Sequence, residues 1–278
     1  MFKKVAIIGV GLIGGSIGKA LRKRGLAEEV VGIGRREVSL EKAKKAGAVD
    51  STTLDIDKGI KDADLVIVAV NVDKVKEKIK QASVNMKKGS ILMDVNSTKG
   101  EIISFANKCI KKGVFFIGAH PMAGKEKTGV NASDEKLFNG TVCILTPDKK
   151  TDKLALNRIE SLWSNLGARV LLLSANEHDK IVARVSHLPH LLAYALCNTV
   201  TEQEMSFSGS GFKDSTRIAK SDIDMWTEIF LQNRQELLKA VKSFESFFSK
   251  LKLNLEKGNR ALIKKQLLKA KEKRDVVR

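Results

Sequence analysis

Four histidines occur in this sequence, and they lie in two regions of the chain. His120 lies in the segment 118–124, directly after a predicted strand, whereas His178, His187 and His190 lie near the start of a helical region. A histidine can take a hydroxyl proton near neutral pH, as oxidation of an alcohol by hydride removal requires. Because doubly wound sheets bind ligands at the carboxyl ends of their strands, His120 is the best placed candidate base. A structural, hydrogen-bonded role is the alternative for each histidine taken alone.

Two further polar segments could contribute to a site. Residues 94–100 overlap the end of a predicted strand and carry Ser97, and residues 212–219 of the helical half carry Arg217. An arginine can clamp a carboxylate with two hydrogen bonds. A surface salt bridge between Arg217 and Asp214 or Asp222 is the alternative.

A zinc site built from His187, His190 and Asp179 is another possibility, because these side chains could converge. Hydride transfer to a nicotinamide needs no metal, and we therefore expect none.

A glycine-rich turn near the start of the chain indicates what accepts the hydride. An apolar run leads into Gly9-Val10-Gly11-Leu12-Ile13-Gly14, and a predicted helix follows. In this pattern Gly9 makes the tight turn, Gly11 allows a pyrophosphate to approach the backbone, and Gly14 allows close packing of helix on strand. Free N–H groups at the helix start, from Leu12 and Ile13 onward, would face the phosphates. The alternative is a glycine-rich turn without a ligand.

The end of the second predicted strand bears on the choice of cofactor. An NAD site usually has an acidic residue about 20 positions after the glycines, but Gly34 stands there and Arg35, Arg36 and Ser39 follow. Loss of the carboxylate removes repulsion of a 2′-phosphate, and guanidinium groups would bind one. The sequence thus favours NADP. NAD remains possible, with Arg35 stacked on the adenine.

Apolar strands alternate with helical segments as far as residue 174. The predicted strands are 5–9, 30–33, 65–70, 91–95, 115–117, 141–145 and 170–173, and the predicted helices between them are 19–24, 40–46, 74–82, 101–109 and 154–166. This alternation predicts an α/β fold, a doubly wound dinucleotide-binding (Rossmann) domain over residues 1–174. After it the apolar spacing is helical, which predicts an all-α domain for substrate binding and dimerisation over residues 175–278.

Composition excludes several classes of protein. A net charge of +18 could indicate a nucleic-acid-binding protein, but the lysines are spread along the chain and no nucleic-acid motif accompanies them. The charge would instead attract small polyanions. No apolar run could span a bilayer, and a predicted strand begins where a signal peptide would lie. Three separated cysteines suit a reducing compartment. We expect a cytoplasmic protein that binds neither membranes nor nucleic acid.

An apolar stripe in the second half predicts association. Leu237, Leu238, Val241, Phe244, Phe248 and Leu251 recur at helical spacing. A small helical domain often needs a partner to cover such a stripe, and we therefore expect a homodimer through the helical domain.

Taken together, these segments resemble the prephenate and arogenate dehydrogenases of tyrosine biosynthesis, the TyrA family. The resemblance covers nearly the whole chain and rests on several separate motifs. They are the glycine motif 9–16, Asp94 with Ser97, Lys99 and Gly100, His120 to Gly124 with Glu126, His178-Asp179 with the segment 186–190, and Asp214 with the segment 216–219 and Trp226.

The resemblance implies a role for each matching residue. His120 would take the proton of the substrate's ring hydroxyl, and Ser97 would hydrogen-bond that hydroxyl and hold His120. Arg217 would bind the ring carboxylate, with His190 in the pocket. Glu126 and Trp226 would line or gate the pocket, Asp179 would support it, and Asn71, which replaces a frequent Thr-Pro or Ser-Pro pair, would contact the cofactor.

The function implied is oxidative decarboxylation of prephenate by a monofunctional enzyme. An arogenate dehydrogenase with the same residues is the alternative within the family. A regulator that binds NADP without catalysis is an alternative of another class, against which the joint presence of Ser97, His120 and Arg217 counts.

Overall fold

A single sheet runs through the first part of the computed structural model, which describes residues 1–125 and 127–276. Its eight strands in the described residues are β1 (Phe2–Ile8), β2 (Ala27–Ile33), β3 (Ser51–Thr53), β4 (Leu65–Val68), β5 (Ile91–Asp94), β6 (Phe115–Pro121), β7 (Val142–Leu145) and β8 (Arg169–Leu172). The strand order is β3-β2-β1-β4-β5-β6-β7-β8, and every adjacent pair is parallel apart from β6 and β7. Sequence order reverses between β1 and β4, the place where open α/β sheets bind dinucleotides.

Helices cover both faces of the sheet and make up the rest of the chain. Those between strands are α1 (Leu12–Lys23), α2 (Glu37–Lys45), α3 (Ile56–Ile60), α4 (Val72–Asn85), α5 (Gly100–Cys109) and α6 (Lys153–Asn165). Those after β8 are α7 (Ala175–Val182), α8 (Leu188–Asn198), α9 (Glu202–Met205), α10 (Ser210–Thr216), α11 (Ile223–Gln232), α12 (Arg234–Glu256) and α13 (Arg260–Asp275). A π-helical turn, Ala183–His187, joins α7 to α8, and the 3-10 turn Arg217–Lys220 follows α10. The predicted α/β fold with a helical second half is confirmed.

The core lies in two layers because the central strands are buried on both faces. Ile7 packs in one layer with Ile17 of α1 and Trp163 of α6. Its neighbour Ile8 points to the other layer, where Ile79 of α4 lies. This alternation follows from the two-residue period of a strand and explains why the strands are almost continuously apolar.

The helical part packs on the same sheet. Trp226 and Ile229 of α11 belong to the second core layer. Gln232, at the end of α11, donates from Nε2 to the carbonyl of Val72 at 3.1 Å and accepts from Thr98 Oγ1 at 2.8 Å. Residues from the helical part therefore lie at the carboxyl ends of β4 and β5.

Several details differ from the sequence-based expectation. Helix α3, for example, was not predicted, and α1 begins at Leu12 and not at residue 19. Strand β3 was not predicted, since it contains three polar residues and pairs with β2 alone among the described strands. The prediction that His120 lies in a loop after its strand is also wrong. Strand β6 continues to Pro121 because Ala119, His120 and Pro121 pair antiparallel with β7.

No helix in the described part of the chain is both long and apolar enough to cross a membrane.

Candidate active site

The candidate site centres on His120, which is 7% exposed. Its Nδ1 atom lies 2.8 Å from Nε2 of His178, and Nδ1 of His178 lies 2.7 Å from Oδ1 of Asp179. We call these three residues the Asp179–His178–His120 triad. The triad joins strand β6 to helix α7 and so connects the sheet with the helical part.

The hydrogen bonds of the triad determine where the protons lie. Asp179 only accepts as a carboxylate, so Nδ1 of His178 must donate to it. Nε2 of a neutral His178 is then an acceptor, and Nδ1 of His120 must donate to it. The Nε2 atom of His120 is thereby left with a lone pair, as a proton acceptor requires.

Burial and charge keep the two histidines neutral. Burial lowers the pKa of His120 well below its ordinary value, and the neighbouring His178, Lys99 and His187 act in the same direction. Burial also lowers the pKa of His178, although its hydrogen bond to Asp179 opposes the shift. Both imidazoles are therefore neutral at physiological pH.

Asp179 is fixed by three donors. Besides His178, the amides of Lys99 and Gly100 donate to its two oxygens, each at 2.8 Å. Burial alone would raise the pKa of Asp179, but these hydrogen bonds outweigh burial and hold that pKa below its ordinary value. The carboxylate remains ionised and ties the start of α5 to α7.

Ser97 lies in the segment between β5 and α5 and is half-buried. Within the described residues its hydroxyl makes no hydrogen bond to His120, whose Nδ1 is held by His178. The expectation that Ser97 holds His120 stays a prediction, since His178 occupies only Nδ1 of that ring.

A second cluster lies around Trp226 of α11. The ring of His190 stacks on Trp226 with centroids 3.5 Å apart and planes 21° from parallel, and His190 Nδ1 donates to the carbonyl of Ser186 at 2.9 Å. His187 meets the same indole edge-on, with centroids 5.9 Å apart. These contacts hold Trp226, which is 7% exposed, against the first turns of α8.

Asn233 connects this cluster to the triad. Its Nδ2 donates to the carbonyl of Asp179 at 2.8 Å and to Nδ1 of His187 at 3.1 Å. The residues predicted from separate motifs thus form one continuous network, in which His178 and Asn233 were not predicted as site residues. The pair His178-Asp179 was a visible signal for the first, whereas nothing in the sequence distinguished Asn233.

Arg217 is exposed and begins the 3-10 turn Arg217–Lys220. Burial lowers the pKa of His190, and the positive charge of Arg217 lowers it further, so the guanidinium is near this ring. Glu126, expected in the same pocket, lies outside the described residues.

The glycine turn has the space that a pyrophosphate needs. Gly9 has φ +96°, and a Cβ there would lie 2.4 Å from the carbonyl oxygen of Ala69. A Cβ on Gly14 would lie 2.2 Å from the carbonyl oxygen of Gly9, whereas a Cβ on Gly11 would meet no described atom within 4 Å. Leu12 and Ile13 begin α1, whose N-cap residue supplies no side-chain hydrogen bond. The helix start is open to an anion, and the residues present fit a dinucleotide.

Basic residues lie at the ribose end of this cleft. Gly34 directly follows β2, and Arg35 and Arg36 are exposed before α2, with Ser39 half-buried in its first turn. Arg35 is close enough to Glu77 of α4 to help lower the pKa of that carboxyl, after the larger effect of Lys78. Asn71 caps the start of α4 and is exposed at the end of β4.

A metal centre has no counterpart in the described ranges. None of their His, Cys, Asp and Glu side chains form a group of three or more that could hold a metal ion.

Comparison with known proteins identifies the family. Residues 17–172 match the model of the prephenate dehydrogenase nucleotide-binding domain, and residues 174–269 match that of the prephenate dehydrogenase dimerization domain. The first supports a nicotinamide cofactor and the second supports a homodimer.

Individual relatives agree with the family models. The prephenate dehydrogenase of Lactococcus lactis subsp. cremoris is 36% identical over 92% of this chain and 72% of its own length. The cyclohexadienyl dehydrogenase of Zymomonas mobilis is 33% identical over 91% of this chain and 88% of its own. A crystal structure of prephenate dehydrogenase from A. aeolicus, in complex with hydroxyphenyl propionate and NAD+, has a TM-score of 0.93 and 34% identity, covering 100% of this chain and 99% of that one. This chain belongs to the prephenate dehydrogenase family.

Proposed function

We propose that this protein catalyses the oxidative decarboxylation of prephenate to 4-hydroxyphenylpyruvate in tyrosine biosynthesis. The observation that carries the proposal is the triad, which leaves a neutral His120 with its Nε2 lone pair at the carboxyl edge of the sheet. The family supplies the substrate, and the A. aeolicus structure contains a hydroxyphenyl compound.

The reaction requires one base and one carboxylate site. A nicotinamide ring accepts the hydride from the hydroxyl-bearing ring carbon. His120 takes the hydroxyl proton at Nε2 as the ring oxygen becomes a carbonyl. The bond from the ring to its carboxylate then breaks and carbon dioxide leaves. The electron pair makes the ring aromatic as the carbonyl oxygen becomes a phenolate, which takes the proton back from His120. Since aromatisation drives this step, the protein has mainly to position the groups.

We assign the remaining contacts as follows. Ser97 hydrogen-bonds the substrate hydroxyl beside His120. Arg217 binds the ring carboxylate. Because this is a single ionic contact, the carboxylate is held in place but can still leave as carbon dioxide. His190 and Trp226 form one wall of the pocket, and Asp179 holds the base through His178. Glu126 keeps the role that the resemblance implies, to line or gate the pocket.

For the cofactor we propose NADP as the favoured partner, held by Gly9, Gly11, Leu12, Ile13, Gly14 and Asn71. Arg35, Arg36 and Ser39 would bind the 2′-phosphate, because no carboxylate stands at Gly34 to repel it. The relative from A. aeolicus contains NAD+, and NAD is the alternative that the experiment includes.

We also propose a cytoplasmic homodimer that associates through the helical domain, with the boundary between the domains near Ser174. Exposed apolar residues of the predicted stripe on α12, Leu238 and Phe248, support this association.

The deciding experiment measures reduction of NAD and NADP with prephenate and with arogenate, in a two-by-two matrix. We expect turnover with prephenate, faster with NADP. Turnover with arogenate alone would replace the first assignment by the second. His120→Ala should lower kcat by about 10²-fold or more while the Kd of the cofactor is unchanged. Absence of turnover with either substrate, together with tight NADP binding, would favour the non-catalytic regulator.

A further inference from the structure

Lys99 and Asp94 form an ion pair that is wholly enclosed by the protein. Both side chains are 0% exposed, and Lys99 Nζ donates to Asp94 Oδ2. The amide of Asn96 donates to the same carboxylate oxygen at 3.0 Å. Lysine is rarely buried without a partner, and a buried ion pair is often no more stabilising than apolar residues of similar size. Stability alone therefore explains this pair poorly.

The pair lies beside the triad. The Lys99 stem runs past Gly118 of β6, where an added Cβ would be 3.2 Å from Lys99 Cδ, and His120 lies two residues further along that strand. The backbone amide of Lys99 donates to Oδ1 of Asp179, the oxygen that also accepts from His178. Lys99 thus contacts both ends of the triad's support, the strand that carries the base and the carboxylate.

The charges of the pair act unequally on the histidines. After burial, the positive charge of Lys99 is among the groups that lower the pKa of His120 and of His178, whereas Asp94 raises the pKa of His178 by less. Burial lowers the pKa of Lys99 and raises that of Asp94, while the charge of each partner opposes the shift of the other. Of the two charges, that of Lys99 has the larger effect on the imidazoles. The other groups that act on them or on Lys99 are Asp179 of α7, His187 of the π-helical turn and Cys143 of β7, whose thiol is kept neutral because burial raises its pKa.

We propose that the buried Lys99–Asp94 pair positions the base. It places a positive charge close to the His178–His120 pair, and it fixes the segment 94–99, whose backbone amide at Lys99 holds Asp179. If His178 gained a second proton, its Nε2 would become a donor and Nδ1 of His120 the acceptor. The proton of His120 would then be on Nε2, and His120 could not accept the substrate proton. The ammonium of Lys99 opposes that protonation. This inference rests on the proposed function for its kinetic consequence, but its protonation state can be measured without turnover.

The test uses Lys99→Met in the full-length protein, with Lys99→Met/Asp94→Asn as a second variant that leaves no unpaired charge. Both should lower kcat at pH 7 by about tenfold and move the acidic limb of the kcat profile to higher pH, with the cofactor Kd unchanged. The control is Lys87→Met. It breaks the ion pair of Lys87 with Asp64, whose atoms are 2.7 Å apart, at the opposite edge of the sheet from the triad, and it should leave the acidic limb in place.

A second readout separates this inference from the assignment of the reaction. Selective ¹⁵N-histidine NMR of the substrate-free protein should show His120 protonated at Nδ1 near pH 7 and His178 doubly protonated at higher pH in the variants than in the wild type. The inference is overturned if a folded variant, single or double, shows the same protonation curve of His178 as the wild type. A lower melting temperature of that variant would not change this conclusion. Failure of the wild type to oxidise prephenate would refute the proposed function and leave the NMR comparison decisive.

Discussion

The Nδ1 atom of His120 lies 2.8 Å from the Nε2 atom of His178, so two histidines from different halves of the chain form one proton-accepting unit. The carboxylate of Asp179 completes it at 2.7 Å from His178. The arrangement has the logic of a serine protease triad, in which a carboxylate fixes the tautomer of a histidine. Here a second histidine extends the chain of hydrogen bonds to His120, the proposed base.

Replacing Asp179 by asparagine tests that logic. Asparagine offers one acceptor oxygen to the three donors that Asp179 accepts, and it carries no charge. The carboxylate that fixes the proton of His178 on Nδ1 is lost, so the tautomers of His178 and His120 are no longer determined. We expect kcat at pH 7 to fall by about 10²- to 10⁴-fold, with cofactor Kd nearly unchanged. Asp152→Asn, a comparable change at the N-cap of α6, should leave kcat unaffected. A kcat within threefold of wild type for Asp179→Asn would show that the carboxylate does not set the tautomer.

The glycine turn separates a folding requirement from a binding requirement. Gly9→Ala should destabilise the protein by about 2 kcal/mol, because its φ of +96° and the oxygen of Ala69 leave no room for Cβ. Gly11→Ala should fold normally and raise the cofactor Kd about tenfold or more, since its Cβ would occupy space meant for phosphate. Thermal melts and cofactor titration would measure the two effects. Normal cofactor affinity in Gly11→Ala would remove the turn from the binding site.

Cofactor preference should respond to Gly34→Asp. A Cβ at this position meets the end of the Leu40 side chain at 2.9 Å, which can shift. The new carboxylate would repel a 2′-phosphate and bind a ribose hydroxyl, so the ratio of kcat/KM for NADP to that for NAD should fall about tenfold or more. Gly34→Asn is the uncharged control of equal size. An equal change of the ratio in both variants would mean that the charge at position 34 does not determine the choice between NADP and NAD.

Arg217→Ala should raise the KM for prephenate about tenfold or more without changing cofactor Kd, because the ring carboxylate would lose its charge partner. Lys220→Ala removes a cation from the same 3-10 turn and should leave KM unchanged. Steady-state kinetics at fixed cofactor concentration decide the matter. If both variants behave alike, a general positive potential and not a specific contact attracts the substrate.

Acid stability should depend on His187. Burial lowers its pKa to about 4 in the folded protein, below the value of about 6.5 in the unfolded chain. The unfolded state therefore binds more protons below pH 6.5, and the stability contributed by neutral His187 is full above that pH and is lost as pH falls toward 4. Between pH 7 and pH 5 this amounts to about 2 kcal/mol.

The variant His187→Gln cannot titrate. Its free energy of unfolding should fall less than that of the wild type between pH 7 and pH 5, by about 2 kcal/mol. Urea denaturation at equal protein concentration would measure it, since dimerisation makes stability depend on concentration. Equal losses for the two proteins would show that His187 is not buried as a neutral group.

Local patterns predicted most of the architecture, because buried strands and amphipathic helices depend on the spacing of apolar residues that are close in sequence. Strand β3 was not predicted because Ser51–Thr53 contains no apolar residue. It is a strand because it pairs with β2. The position of His120 within β6 depends on antiparallel pairing with Ile144, which no local pattern reveals.

The site itself was predicted as separate motifs and not as a network. His120 and His178 are 58 positions apart, so their hydrogen bond appears only after the sheet and α7 have packed. The residue types indicated an acid–base site, whereas the hydrogen-bond partners of each side chain depend on the tertiary fold.

The extension of β6 to Pro121 has a consequence for how this enzyme could be redesigned. His120, the proposed proton acceptor, is part of a hydrogen-bonded strand, whereas Trp226, His190 and Arg217 belong to helices and turns after β8. Substitutions in those helices can reshape the cavity without disturbing the backbone beneath the base. A directed-evolution library for new cyclohexadienol substrates should therefore vary residues of α8, α10 and α11 and leave β6 and β7 untouched.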